Sequence, residues 1–224
     1  MKIQNISAFP IPISYGSFGE QSRTLNKHLM ADTIKHTTYN EVATRSGIGV
    51  RQSSGGLENQ YESFKALQDI ISIFSKTIVE WTGIETDVVE AVGLWANLNN
   101  DPYAYHMPHA HSLKYVYTGV YFPTSGVLDG HELSLDQNLD DEPNVISDSR
   151  PAPGSLVLLD PNQNIKDGIS NGKSARFPFF GNPICVEPRE GTIVIFPSYL
   201  SHMVTPTKKE NFTRVSIAFN IRTD

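Results

Sequence analysis

From Val88 onward the chain breaks into short β-type runs separated by Pro, Gly, Asn and Asp, and this texture limits the fold more than any other feature. It predicts strands over Val92–Leu98, Tyr115–Phe122, Ser155–Leu159, Ile184–Glu187, Thr192–Phe196, His202–Thr205 and Arg214–Ile221. Many short strands with turn formers between them call for a sandwich or a barrel, because each strand must bury one face against another layer. The last run alternates strictly. Arg214, Ser216, Ala218 and Asn220 fall on one face, and Val215, Ile217, Phe219 and Ile221 on the other. The apolar set suits a core, and the polar set is free for other work.

The first ninety residues read differently. Ile3 to Ile13 reads as a short strand ending at two prolines, and a helix is expected around Leu25 to His36. The clearest helix follows a Gly/Ser-rich loop at Ser53–Gly56: Tyr61, Phe64, Leu67, Ile71, Phe74, Ile78 and Trp81 recur every three or four residues. Asn59 with Glu62 resembles a capping box, and Gly83 sits where a helix-ending glycine belongs. The expected fold class is therefore mostly β with N-terminal helices (α+β). One domain spans 1–224, with residues 1–90 packing on a core of 91–224. Two stretches are too long for tight hairpins. One, 124–153, is acidic at Asp136, Asp140, Asp141 and Glu142; the other, 162–183, carries Phe177-Pro178-Phe179-Phe180. Long loops inside a compact domain suit lids or binding loops.

Composition excludes several classes. A hydrophobic fraction of 39% and a charged fraction of 19% describe a globular chain. The net charge of -6 argues against a nucleic-acid backbone as the main partner, since phosphate binding needs a basic footprint. No apolar run reaches membrane-spanning length, the N-terminus lacks the pattern of a secretory leader, and a cytoplasmic location is expected. The single cysteine, Cys185, supports neither an internal disulfide nor a Cys-based metal site.

Histidines are the first chemical signal. His106, His109 and His111 crowd into seven residues. In an extended segment residues two apart share a face, so His109 and His111 converge while His106 points elsewhere. His202 opens a distant strand, behind Gly191-x5-Pro197. A third imidazole arriving from another strand completes a facial metal site of the kind that leaves positions open for substrate and O2. Twelve positions later, Arg214-Val-Ser216 puts a guanidinium and a hydroxyl side by side. Arginine offers a planar donor fork matched to a carboxylate, and serine adds one more donor.

Together these blocks resemble the 2-oxoglutarate/Fe(II) oxygenase superfamily, in a branch with the order Trp95-Ala-Asn97-Leu-Asn99, Pro108-His109-Ala-His111, Thr118-Gly-Val-Tyr121-Phe122, Phe196-Pro197-Ser198-x3-His202 and Arg214-x-Ser216-x2-Phe219-Asn220. The resemblance covers residues 91 to 221. It implies a double-stranded β-helix (jelly-roll) core whose open end holds Fe(II), with 2-oxoglutarate as co-substrate and succinate and CO2 released on hydroxylation. It implies His109 and His202 as ligands and Arg214 with Ser216 on the distal carboxylate of 2-oxoglutarate. Tyr115, Tyr117 and Tyr121 share a strand face and are candidates to line the co-substrate pocket. Asn97, Asn99 and Asn220 are candidates for the layer behind it.

His111 stands where most of the superfamily has Asp or Glu. Three completions of the iron site are open: a three-histidine site, a water in the third place, or a carboxylate from Asp101 or Asp160. The three-histidine site is preferred. Two other functions share these motifs: a cupin-type metalloenzyme that does not use 2-oxoglutarate, and a non-catalytic jelly-roll binding module. The expected partner is a prime substrate, a small molecule or a protein side chain, chosen by loops without transferable motifs.

Overall fold

A computed structural model describes residues 11–39, 46–128, 130–132, 145–147, 151–161, 183–207 and 210–224. Its elements run β1 (Ser14–Ser17), α1 (Arg23–Tyr39), β2 (Gly47–Ile48), β3 (Val50–Gln52), α2 (Glu62–Trp81), β4 (Glu90–Asn99), β5 (Tyr105–His109) and β6 (Tyr117–Tyr121). Then follow β7 (Val127–Leu128), β8 (His131–Glu132), β9 (Val145–Ser147), β10 (Leu156–Leu158), β11 (Ile184–Val186), β12 (Thr192–Pro197), β13 (His202–Val204) and β14 (Phe212–Arg222). The larger sheet has the order β1-β12-β6-β14-β4-β3, with β7 and β8 attached to β14; the smaller is β2-β5-β13-β10-β11-β9. Among the described residues every pairing is antiparallel, and the two sheets make the jelly roll.

Two apolar layers hold this together. Val120, Phe122, Leu156, Leu158, Val194, Phe196 and Val204 come from facing strands and fill the space between the sheets. On the outer face of the larger sheet, Phe64, Leu67, Ile71 and Ile78 of α2 bury themselves on Ala91, Leu94, Ile217, Phe219 and Ile221. This explains β14. Its apolar set packs under the helices, and its polar set faces between the sheets, where Ala218 alone joins the apolar filling. At roughly 2–5 kcal/mol for truncating a buried Leu or Ile to Ala, the stripe on α2 is ample to seat the helix.

A bulge in β4 also matters. Ala218 pairs with Trp95 but Asn220 pairs with Val92, so β4 has one residue more than β14 over this span. Gly93 takes φ 64 there. The buried Glu58 carboxylate accepts from the backbone N–H groups of Gly93 (2.8 Å) and Leu94 (2.9 Å), satisfying donors that the ladder has lost.

Several expectations need correction. Residues 11–13 are not a strand; the N-terminal strand is Ser14–Ser17, where the chain pairs with β12, and residues 3–10 of that expectation lie outside the described residues. Asn59 ends a 3-10 turn at Leu57–Asn59, and the α2 N-cap is Tyr61 without a side-chain cap, so no capping box forms. Gly83 does end the helix, with φ 71. The stretch 124–153 carries β7, β8 and β9 as well as loop, while 162–182 and the Phe177–Phe180 patch lie outside the described residues. Residues before 90 do more than cover a core. They supply β1 and β3 to the larger sheet and β2 to the smaller.

Candidate active site

Between the sheets lies a cavity of about 370 Å³, and all three expected histidines line it together with Arg214 and Ser216. The ligand atoms of His109, His111 and His202 lie within 4.8 Å of one another. Ring centroids are 4.3 Å apart for His109–His202, 5.0 Å for His111–His202 and 5.7 Å for His109–His111. Neither Asp101 nor Asp160 joins the group, which consists of histidines alone.

Each ring arrives by a different route. His202 begins β13 after the turn in which the Leu200 N–H donates to Pro197 O (2.9 Å), and Phe196 packs edge-on against it at 4.9 Å. His109 ends β5 and pairs with His202 across the smaller sheet. His111 lies beyond the strand, so its convergence with His109 does not come from the pleat alone. Its backbone N–H donates to Ser198 O (2.9 Å), which pins the segment beside the β12–β13 turn.

The tautomers follow from the second partners. Nδ1 of His109 lies 2.7 Å from Met107 O, and Nδ1 of His202 lies 2.9 Å from Leu200 O. Carbonyls only accept, so both Nδ1 atoms carry the proton. The Thr118 hydroxyl donates to Phe219 O (2.7 Å), which leaves its oxygen to accept from Nδ1 of His111 at 2.9 Å; Asn220 Oδ1 stands further off at 3.5 Å. All three Nε2 lone pairs are thereby left for one point. Burial, reinforced by the charge of His109, pushes His202 down to about 3, and burial also lowers His111 against the raising effect of the Asn220 hydrogen bond. Neutral imidazoles with backbone or hydroxyl acceptors on their far nitrogens are the donor set that a divalent first-row metal takes. The residues fit Fe(II).

Arg214 occupies the same cavity and is only 1% exposed. Its Nε donates to Gly154 O (2.7 Å), one terminal nitrogen donates to Ser216 Oγ (2.9 Å), and the guanidinium lies 5.0 Å from the Phe122 ring centroid. Gly154 has φ 78, and a Cβ there would meet Arg214 Cδ at 3.3 Å, so this seat requires glycine. Among the described residues no carboxylate pairs with the cation, and none lines the cavity. Burial pushes the guanidinium down to about 9. Ser216 accepts from Arg214 and keeps its own proton to donate. This end of the cavity is built for an anion.

The other expected residues divide. Tyr115, Asn97 and Asn220 line the cavity. Tyr117 and Tyr121 do not: they face the helices, where Tyr117 donates to Thr82 Oγ1 (2.8 Å) and Tyr121 to Asn26 Oδ1 (2.6 Å). The three tyrosines share a face only if the strand begins at Tyr115; it begins at Tyr117, and Tyr115 lies in the preceding turn. Asn99 is fully buried opposite Arg214, outside the cavity lining.

His106 was expected to point away, yet it lines the cavity and is buried. Opposite β13, the three-residue step from His106 to His109 matches the two-residue step from Val204 to His202, so β5 bulges at Met107-Pro108. Pro108 has no N–H to give the ladder, and that was a legible signal. Burial first, then the charges of Arg214 and His109, bring His106 down to about 3. Trp95, Thr118 and Gly154 were also missed as site residues, because only the folded sheets bring them here.

The family described as "Putative 2OG-Fe(II) oxygenase" matches residues 93–220. Among solved structures, the chain is similar to a Pseudomonas putida prolyl-4-hydroxylase with TM-score 0.61 and 14% identity, covering 96% of this chain and 94% of the other. It is similar to a Trichoplax adhaerens prolyl hydroxylase in complex with a hypoxia inducible factor peptide fragment, with TM-score 0.54, 13% identity and coverage of 94% and 83%. It is also similar to HygX from Streptomyces hygroscopicus with nickel and 2-oxoglutarate bound, with TM-score 0.54, 9% identity and coverage of 94% and 82%. At these identities the likeness shows the fold. No curated protein matches in sequence.

Proposed function

Because the chain belongs to the 2OG-Fe(II) oxygenase family, whose cofactors are Fe(II) and 2-oxoglutarate, we propose that it hydroxylates a prime substrate, with His109, His111 and His202 holding the iron and Arg214 with Ser216 holding 2-oxoglutarate. One observation carries the reading. A fully buried guanidinium without a carboxylate partner among the described residues shares one cavity with three convergent imidazoles. An isolated buried cation is costly, and a bound dianion removes that cost.

When bound, Fe(II) supplies the oxidative chemistry in which 2-oxoglutarate and O2 become succinate and CO2 while an oxygen atom passes to the substrate. The protein's part is placement. Met107 O, Leu200 O and Thr118 Oγ1 hold the three rings in the tautomer that offers Nε2. Arg214 and Ser216 present donors to the distal carboxylate, and Gly154 O fixes the guanidinium plane. Val120, Leu156, Val204 and Ala218 line the walls and keep water from the co-substrate. Trp95, with its ring centroid 5.6 Å from that of His111, and Tyr115 line the cavity and would offer aromatic surface to the substrate. In contrast to a His/Asp/His set, three neutral ligands leave the metal's full charge to be balanced by 2-oxoglutarate.

The test is succinate release with Fe(II) and 2-oxoglutarate across peptide and small-molecule panels, beside iron uptake. Wild-type protein should take up one iron and release succinate, His109→Ala should lose both, and Arg214→Ala should lose 2-oxoglutarate affinity. No iron uptake and no succinate from wild type would overturn the proposal.

A further inference from the structure

Neither the metal triad nor the Arg214–Ser216 pair accounts for His106. It is not one of the convergent ligands, its ring centroid lying 6.1 Å from that of His109. Three residues before His109, it would face away in a regular strand. The bulge at Met107-Pro108 turns it inward, while Met107 and Pro108 are left exposed. A bulge beside an active site typically re-aims a side chain, and here that side chain is an imidazole.

Its place in the cavity is defined by the pairing. His109 lies opposite His202, and His106 lies opposite Val204, further along β13 from the metal end. Val204, Leu156, Arg214 and Ser216 line the same cavity. His106 therefore stands on the smaller-sheet wall of the cavity that joins the triad to Arg214, and that is the space a bound 2-oxoglutarate would fill on the proposed reading. Nδ1 of His106 lies 3.4 Å from Ser46 Oγ, and Ser46 lines the cavity as well. Ser46 can donate to Nδ1, which puts the ring proton on Nε2 as a donor. The described lining holds no Asp or Glu that could accept it.

We propose that His106, steadied by Ser46, is a further 2-oxoglutarate-binding residue, donating a hydrogen bond to a carboxylate oxygen of the co-substrate between the iron triad and Arg214. This rests on the functional reading above and adds a contact to it. A bound carboxylate selects the tautomer with the proton on Nε2, since the other tautomer would set a lone pair against an anion. A hydrogen bond to a charged acceptor carries roughly a tenfold effect or more on affinity.

The experiment measures 2-oxoglutarate binding by calorimetry on Mn(II)-loaded full-length protein, for wild type, His106→Leu, His106→Gln and Arg214→Ala, with Mn(II) affinity measured separately. His106→Leu should weaken 2-oxoglutarate binding about tenfold and leave Mn(II) affinity within about threefold. His106→Gln, which keeps a donor, should recover most of the loss. In turnover, KM for 2-oxoglutarate should rise in His106→Leu more than kcat falls. Unchanged 2-oxoglutarate affinity in His106→Leu, or a parallel loss of Mn(II) affinity, would overturn the proposal while leaving the Arg214 reading intact. Retained affinity in Arg214→Ala would overturn the Arg214 reading by itself, and wild-type protein that binds no 2-oxoglutarate would overturn both.

Discussion

Replacing Arg214 with Met tests whether a buried charge has been kept for binding rather than for folding. The side chain is essentially inaccessible, and burial alone pulls the guanidinium from its ordinary, strongly basic range down to about 9. That fall corresponds to at most roughly 5 kcal/mol of cost for keeping the cation buried near neutral pH when no 2-oxoglutarate is added. Methionine has similar length and no charge, so it removes this cost. It also leaves Gly154 O without its donor, at roughly 1–3 kcal/mol, and removes the contact with Phe122. The balance predicts a metal-free variant more stable than wild type by roughly 2 kcal/mol, or about 4–8 °C in Tm for a chain of this size. With 2-oxoglutarate added at about a hundred times Kd to the Mn(II)-loaded proteins, wild type should gain about 2.7 kcal/mol beyond the metal's own effect and the variant nothing further. Thermal unfolding with and without ligand measures both. A metal-free variant that unfolds below wild type would refute the reasoning, because Arg214 would then be part of the framework. So would a variant that keeps the full ligand-induced shift.

Three other outcomes follow from the same geometry. His106 and His202 both sit near 3 when folded, against about 6.5 unfolded, so the unfolded chain binds about two more protons between those values. The stability of the chelator-treated protein should be complete above about pH 6.5 and fall on acidification, at up to about 2.7 kcal/mol per pH unit near pH 5; urea midpoints that stay flat from pH 7 to 5 would contradict this. Thr118→Val takes away the acceptor for the His111 Nδ1–H and should cost about tenfold in metal affinity, read by Co(II) titration; a change below twofold would mean that the hydroxyl does not orient the ring. Tyr117→Phe and Tyr121→Phe should each lose about 1 kcal/mol of stability with 2-oxoglutarate affinity within twofold, and a large affinity loss would return them to the pocket.

Local pattern carried much of this protein. Alternation along Arg214–Ile221 set which side chains share a face of β14, and the three-to-four-residue period from Tyr61 to Trp81 set α2, because both depend only on backbone periodicity. The positions of His109, His202, Arg214 and Ser216 in one cavity were legible from motif order. What the sequence could not decide was anything that hinges on one residue of register. Tyr117 and Tyr121 went to the helix side because β6 pairs in the register that sets Tyr121 beside Ile193 and Ile217, and His106 came into the cavity because β5 bulges at Met107-Pro108. A one-residue slip reverses every side chain beyond it, and only the pairing partner determines where that slip occurs. Gly154 and Thr118 belong to the same class. Gly154 acts through Arg214, and Thr118 links His111, seven residues before it, to the distant Phe219 carbonyl; only the packed sheets bring those groups within hydrogen-bond range.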